Sequence, residues 1–355
     1  MERFASDRQP SGLSAVEKFA PGRNAPCSSI LACSGGAARG LYQLLILEEI
    51  QRRAGIPFYE LFDVSTSNST SSPFAAYLAL NPRGITDPMQ VLPALIEGYQ
   101  QLAPEILKVR PIKSKGHLFA AEPMKDALRQ FFGEIKLGDI EKPMVIATTK
   151  WDKRLTPALI ANFEVSEELA GLGLVDGREH KVVDVVAASM AAPFLFQPVE
   201  IDDHKYVDGG MFQYFPLQLA IGIDEYLHKD EDRKGKPLVF GLASGFVPAK
   251  TNPMAAMPEG QATTDEMLFE LQRHKYHPDS LIINDTLADL DLADPPGEFA
   301  FKGTEKYLAQ VKAAASKQIE NYDTELQNFA DAAVARYKAR QQGVDKQTGQ
   351  GGRSR

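Results

Sequence analysis

The sequence predicts an α/β fold on a mostly parallel central sheet. Two strand-turn-helix units follow one another near the start of the chain, and consecutive units of that kind imply parallel strands. Further short apolar runs alternate with stretches of helical spacing downstream. With 355 residues and 44% hydrophobic content, the chain can bury a substantial core, as one large domain or two smaller ones.

The elements follow in order. Residues 1 to 27 hold Pro10, Gly12, Pro21, Gly22 and Pro26 among polar residues, an irregular lead-in. Ser28 to Cys33 is a short apolar run ended by glycines, and Leu41, Leu44, Leu45, Leu47 and Ile50 step at helical spacing toward Arg53: strand, glycine turn, helix. The pattern repeats with Leu61-Phe62-Asp63-Val64 as a strand and a Ser/Thr/Asn cluster as the turn. A helix through Phe74, Ala75, Tyr77, Leu78 and Leu80 follows, stopped by Asn81-Pro82. Beyond it we expect a helix from Pro123 to Phe132, a strand over Met144 to Thr149, a helix over Val182 to Met190 and a buried strand over Pro237 to Leu242.

The core is expected to run over 28–245. Behind it, Pro248 to Pro258 reads as a loop or lid and Asp265 to Tyr276 as a helix. From Thr304 to Arg340 the apolar residues Leu308, Val311, Ala315, Ile319, Tyr322, Leu326, Phe329, Ala333 and Tyr337 step by three or four, which predicts one long amphipathic helix. Packing on the core or on a partner subunit suits it better than a membrane surface, because its polar face is not consistently basic. Residues 246–340 are thus a loop and helical extension, and 341–355, rich in Gly and Gln, are expected to be a disordered tail.

Composition excludes several classes. A formal charge of -8 disfavours nucleic acid, whose phosphates need a basic face. Cys27 and Cys33 are too few for a disulfide framework, and no Cys/His spacing suggests a metal site. The charged start Met1-Glu2-Arg3 and the lack of an uncharged apolar stretch of ~20 residues predict a soluble protein made in the cytoplasm. Export without a cleaved signal would leave no trace in such a sequence.

Three short motifs carry chemistry. A turn, Ser34-Gly35-Gly36-Ala37-Ala38-Arg39-Gly40, offers consecutive N-H groups; Ser67-Asn68-Ser69-Thr70-Ser71 packs small residues around a hydroxyl; Asp208 precedes Gly209-Gly210. A nucleophilic serine on a sharp strand-to-helix turn needs small neighbours on either side, and a row of N-H groups can cradle the oxyanion of an acyl-transfer intermediate. Each has a plainer reading. A Ser/Thr cluster is usually a loop or N-cap, and Arg39 fits an ion pair or helix cap as well as a catalytic contact. The glycine turn lacks the Lys-Ser/Thr ending of a P-loop and the spacing of a dinucleotide fingerprint, which disfavours a nucleotide-binding module.

Taken together and in order, these motifs resemble the patatin-like phospholipase family. Ser34 to Gly40 matches its D/S-G-G-G-x-R/K-G turn, with Ala37 for the third glycine. Phe62 to Ser72 follows its F-D-x-x-x-G-T-S-x-G-G frame, Ala188 to Pro198 its A-S-x-A-x-P-x-x-F-x-P helix end, and Val207 to Pro216 its V-D-G-G-x-x-x-N-x-P turn. The resemblance covers about Ser28 to Ile221. It implies a three-layer α/β/α sandwich and hydrolysis of phospholipid or related acyl esters by a Ser-Asp dyad. It assigns Ser69 as nucleophile, Asp208 as base, and the N-H groups of Gly35, Gly36, Ala37 and Ala38 as oxyanion donors. Arg39, Gly40, Gly209 and Gly210 support them, and no cofactor or metal is implied.

The substrate implied is a lipid or membrane surface with which the protein associates peripherally. An activating protein or a second copy docked on the C-terminal helix would complete the partners. A dyad suits a chain whose six histidines stand in no triad context; His204, nearest to Asp208, sits in a polar segment before a strand. Asp208 must then act as base alone, which requires a desolvated site that raises its pKa. Both elbow glycines are replaced, by Ser67 and Ser71, and side chains there and at Ala37 cost of order 1 kcal/mol each where the backbone needs glycine. The alternative is therefore a catalytically weakened relative that binds lipid or protein through the same cleft.

Overall fold

The computed structural model describes residues 28–80, 87–106, 119–193, 195–230, 235–245, 253–285 and 304–350. The expected lead-in over 1–27, with Cys27, lies outside them, as do 246–252. Strand β1 (Ser29–Cys33) is buried along its whole length. Its side chains feed two apolar layers: Leu31 and Cys33 enter one with helix α1 (Gly40–Ala54), while Ile30 and Ala32 enter the other. A strand covered on both faces reads as an unbroken apolar run, which is why β1 shows no alternation. Helix α1 stops where Gly55 takes a left-handed conformation and returns its N-H to Gln51.

Strand β2 (Val64–Asn68) starts where the sequence reading ended its second strand, and the Ser/Thr/Asn cluster expected as a turn is mostly strand. Its small side chains are buried along its whole length, and Thr66 settles its hydroxyl on the Pro216 carbonyl at 2.7 Å. A single turn over Ser69–Ser71 then leads into α2 (Ser72–Ala79), with Pro73 in its first turn. Helices α3 (Val91–Ile106) and α4 (Ala121–Phe132) pack in the layer of α1. Strand β3 (Met144–Lys150), a hairpin partner β4 (Thr156–Ala161), the short α5 (Glu167–Gly171) and β5 (Leu174–Asp176) carry the sheet outward. Helix α6 (Val182–Met190) matches its expected bounds. A second hairpin, β6 (Val199–Ile201) and β7 (His204–Asp208), then precedes α7 (Leu217–Leu227) and β8 (Leu238–Leu242). His204 is thus the first residue of a strand.

The sheet order is β5-β4-β3-β2-β1-β8, continued by β9 (Leu281–Ile283), with β7 on β3 and β6 on β7. β1 pairs in parallel with β2 and β8, as do β2 with β3, β4 with β5 and β8 with β9. The antiparallel pairs are the two hairpins and β3 with β7. Helices α1, α2, α3, α4 and α6 cover one face, and α7 with α8 (Pro253–Leu271) covers the other. This is the three-layer α/β/α sandwich, plus C-terminal helices.

The end of the chain differs from expectation in three ways. Residues 253–258, read as part of a loop or lid, open the 19-residue helix α8, which ends at Leu271 and gives way to a single turn over Arg273–Lys275. The expected long helix is two, α9 (Thr304–Asn321) and α10 (Asp323–Gln350), divided at Tyr322, beside which Arg53 of α1 holds the Asp323 carboxylate at 2.7 Å. α10 runs on to Gln350 through the stretch expected as disordered tail, since extending a formed helix is easy for Gln- and Lys-containing sequence.

Nor does the core stop at 245. β9 extends the sheet, Phe329 lies 4.8 Å ring to ring from Phe240 of β8, and Arg340 makes a bidentate contact with Asp63 at 2.6 and 2.8 Å. Val311, Ala315, Leu326 and Ala333 are fully or almost fully buried in the α1 layer. The apolar stripe of the C-terminal helices therefore packs on this chain's own core. Among the described residues no helix is long and apolar enough to cross a membrane.

Candidate active site

Register brings the motifs together. Asn68, the last residue of β2, pairs with Ala147 of β3, and the next β3 residue, Thr148, pairs with Asp208, the last residue of β7. β7 thus takes over the edge of β3 where β2 leaves it, and Ser69 and Asp208 meet at the exchange. The Asp208 carboxylate accepts from the Gly210 N-H at 2.7 Å, and the Ser69 hydroxyl beside it is a second donor that favours its ionised form. Burial pushes the Asp208 carboxyl up to about 6, against the opposing pull of those two donors.

Ser69 has a left-handed backbone, φ 52°, the strained turn that exposes a hydroxyl between strand and helix. Ser189 of α6 holds it. The Ser189 hydroxyl accepts from the Ser69 N-H at 2.8 Å, donates to the Ala147 carbonyl at 2.7 Å and lies 3.0 Å from Ser72 Oγ. The serines that replace elbow glycines bring no backbone strain, since neither Ser67 nor Ser71 has positive φ. Ser71 is built in: its Oγ accepts from the Asn68 N-H at 3.0 Å and lies 2.9 and 3.0 Å from the carbonyls of Asn68 and Cys33. The left-handed glycine replacement is instead Ala37, φ 50°.

The first turn packs against the elbow. A Cβ on Gly35 would sit 2.9 Å from Ser69 Cβ. The Gly35 N-H, expected as an oxyanion donor, instead donates to the Tyr214 carbonyl at 3.2 Å, so it is already engaged. Among the described residues no backbone carbonyl accepts from the Gly36 N-H, and Ala37 and Ala38 open the helical turn Ala37–Arg39, where N-H groups lack intrahelical partners. Arg39 is buried, returns its N-H to the Gly36 carbonyl at 3.0 Å and reaches Tyr214 Oη at 3.5 Å; these contacts are structural. Gly40 is pressed between Thr70 and Tyr99.

Two glycines of the site leave the least room for a side chain. A Cβ on Gly209 would lie 2.3 Å from the Ala147 carbonyl oxygen, and one on Gly36 would lie 2.0 Å from Ser244 Oγ and 2.3 Å from Ser244 Cβ. Gly36→Ala is therefore expected to lower stability by about 1–3 kcal/mol through overpacking and to slow any chemistry at Ser69, both checked by thermal melting and ester turnover.

Several residues outside the motifs complete the site. The Tyr214 carbonyl accepts from Gly35 and from Asn68 Nδ2 at 3.4 Å, and its hydroxyl lies 3.1 Å from Ser244 Oγ. Gln261 of α8 pairs with that segment like a short strand, accepting from the Tyr214 N-H and donating to the Phe212 carbonyl, both at 2.6 Å. Tyr99 of α3 bridges Thr70 and the Ala37 carbonyl. Ser189 lay within a recognised motif but without a role; nothing in local sequence marks Tyr99 or Gln261. Cys33 is fully buried, and burial pushes its thiol far up, an inert packing residue.

A serine with a left-handed backbone at a strand-to-helix turn thus stands beside a buried carboxylate and a glycine-rich helix start, on an α/β sandwich. The patatin-like phospholipase model matches residues 31–221, more than half of the chain and all three turns; the chain belongs to that family. It is 26% identical over 197 residues to the cUMP-AMP-activated phospholipase of Escherichia coli, covering 54% of this chain and 57% of that one. With the cGAMP-activated phospholipase of Pseudomonas aeruginosa it shares 27% identity over 253 residues, 69% of this chain and 71% of the relative. It is 26% identical over 223 residues to the 85/88 kDa calcium-independent phospholipase A2 of Rattus norvegicus, 58% of this chain and 25% of the relative. The chain thus spans little more than half the length of the first of these.

Proposed function

We propose that the protein is a lipid acyl hydrolase, cleaving carboxylic esters of phospholipids or related lipids through Ser69 and Asp208. The observation that carries this reading is the Ser69 hydroxyl at a left-handed strand-to-helix turn, beside a carboxylate that burial raises to about 6. Such a base is ionised at neutral pH yet far more basic than a free aspartate. As Ser69 Oγ attacks the ester carbonyl carbon, its proton passes to Asp208 and the carbonyl oxygen gains negative charge. The N-H groups of Gly36, Ala37 and Ala38 stabilise that charge. The intermediate then collapses: the ester C-O bond breaks, Asp208 returns the proton to the leaving alkoxide, and an acyl-Ser69 ester remains. Water, deprotonated by Asp208, attacks the acyl carbon in the mirror of the first half, releasing fatty acid and restoring Ser69.

The reading of a weakened relative is less favoured, because Ser67 and Ser71 sit without backbone strain. Two relatives are named for activation by a cyclic nucleotide, and we propose an activator of that class here, acting at a peripheral lipid surface. The test is turnover of phospholipid vesicles and short-chain nitrophenyl esters, with and without cGAMP or cUMP-AMP. Ester cleavage that rises with the nucleotide and disappears in Ser69→Ala and Asp208→Asn is expected. Absence of Ser69-dependent turnover under every condition overturns the proposed hydrolase.

A further inference from the structure

Tyr99 stands on α3, outside every catalytic motif, yet its hydroxyl touches both turns. It lies 2.6 Å from the Ala37 carbonyl and 2.6 Å from Thr70 Oγ1, packed against Gly40. The protons can be assigned. A carbonyl only accepts, so the single tyrosine proton goes to Ala37; Thr70 must then donate to the tyrosine oxygen. One hydroxyl therefore ties the residue after Ser69 to the turn that carries the proposed oxyanion donors.

A peptide unit is planar, with its C=O and N-H pointing in opposite directions. Holding the Ala37 carbonyl fixes the Ala37-Ala38 peptide plane and hence the direction of the Ala38 N-H. Ala37 itself is an L-residue at φ 50°, a conformation that glycine adopts freely and alanine only at a penalty, so the turn is held against its own backbone preference. Rotation of the peptide would turn a carbonyl oxygen toward the place where a donor is required, replacing attraction of the oxyanion by repulsion.

Resting on the dyad reading above, we propose that Tyr99 is a positioning residue for the oxyanion turn, holding the Ala37-Ala38 peptide in its donor orientation through the Ala37 carbonyl. Tyr99 does not reach substrate; it acts through the backbone of residues 37 and 38.

The test is Tyr99→Phe, assayed on a soluble ester and on its thionoester, in which sulfur replaces the carbonyl oxygen. Sulfur is a weak hydrogen-bond acceptor, so the thionoester gains little from the hole. Misalignment of one donor is expected to lower kcat for the ester about 10- to 100-fold, with KM within about twofold and a smaller loss on the thionoester, so the ester-to-thionoester ratio falls. A merely structural tyrosine would slow both substrates equally. An unchanged kcat, or equal slowing of both, overturns the proposal while Ser69→Ala still silences the parent; ester turnover that survives Ser69→Ala overturns the reading beneath it. Should Tyr99→Phe fail to fold, Thr70→Val removes the donor that pins the same hydroxyl. It is expected to lower the ratio too, and an unchanged ratio there counts against the role of Tyr99.

Discussion

Ser69→Ala is expected to lower kcat on a soluble ester by at least about 10⁴-fold, because removing a nucleophile eliminates the covalent route and leaves only the hole and binding. The fold should survive. The backbone at 69 is left-handed for serine already, and alanine meets that conformation with the same Cβ. Its N-H keeps the Ser189 hydroxyl as acceptor. What changes is Asp208, which loses the donor that opposed its burial, so its carboxyl should titrate higher than about 6 in the variant. Activity assays, thermal melting and carboxyl NMR titration check the three statements.

Asp208→Asn is expected to abolish activity by about 10³- to 10⁴-fold and at the same time to stabilise the protein at alkaline pH. The folded carboxyl titrates near 6 against an ordinary value of 3.8, so the unfolded chain ionises first. Folding stability from this group is whole below the unfolded value, falls as pH rises between the two, and stays reduced above 6. At pH 8 the ionised, buried carboxylate costs on the order of 2–3 kcal/mol, from ~1.4 kcal/mol per pH unit. The neutral asparagine avoids that cost while its oxygen still accepts from Gly210. The variant should melt a few degrees above the parent at pH 8 and together with it near pH 4. In the parent, kcat/KM should rise with pH and level off above about 6, since only the ionised form accepts the Ser69 proton.

The central fold was legible where apolar burial is continuous. β1, β3 and β8 are largely apolar strands that helical layers bury on both faces, α6 is an apolar helix of one such layer, and all lie close to where the sequence puts them. β2 was not, because Ser65, Thr66 and Ser67 are polar and their burial depends on neighbours far along the chain. The division at Tyr322 and the run of α10 to Gln350 were also hidden, since periodicity registers a helical face and not where a helix bends or ends.

The site divides in the same way. Ser69, Asp208, Gly36, Gly209 and Gly210 carry local signatures, because a nucleophile elbow and a glycine turn impose their needs on adjacent residues. The engaged Gly35 N-H could not be foreseen: its acceptor is the carbonyl of Tyr214, and backbone groups have no side-chain signature. Ser189, Gln261 and Tyr99 come from three different helices and act through single hydrogen bonds. Only the folded register identifies them.

The most direct test of Ser69-Asp208 chemistry is mass spectrometry of the protein after reaction with a fluorophosphonate ester. One phosphonyl adduct on Ser69, absent from Ser69→Ala and formed far more slowly in Asp208→Asn, is the predicted result. An adduct on another residue, or labelling of Ser69 at the parent rate in Asp208→Asn, would contradict it.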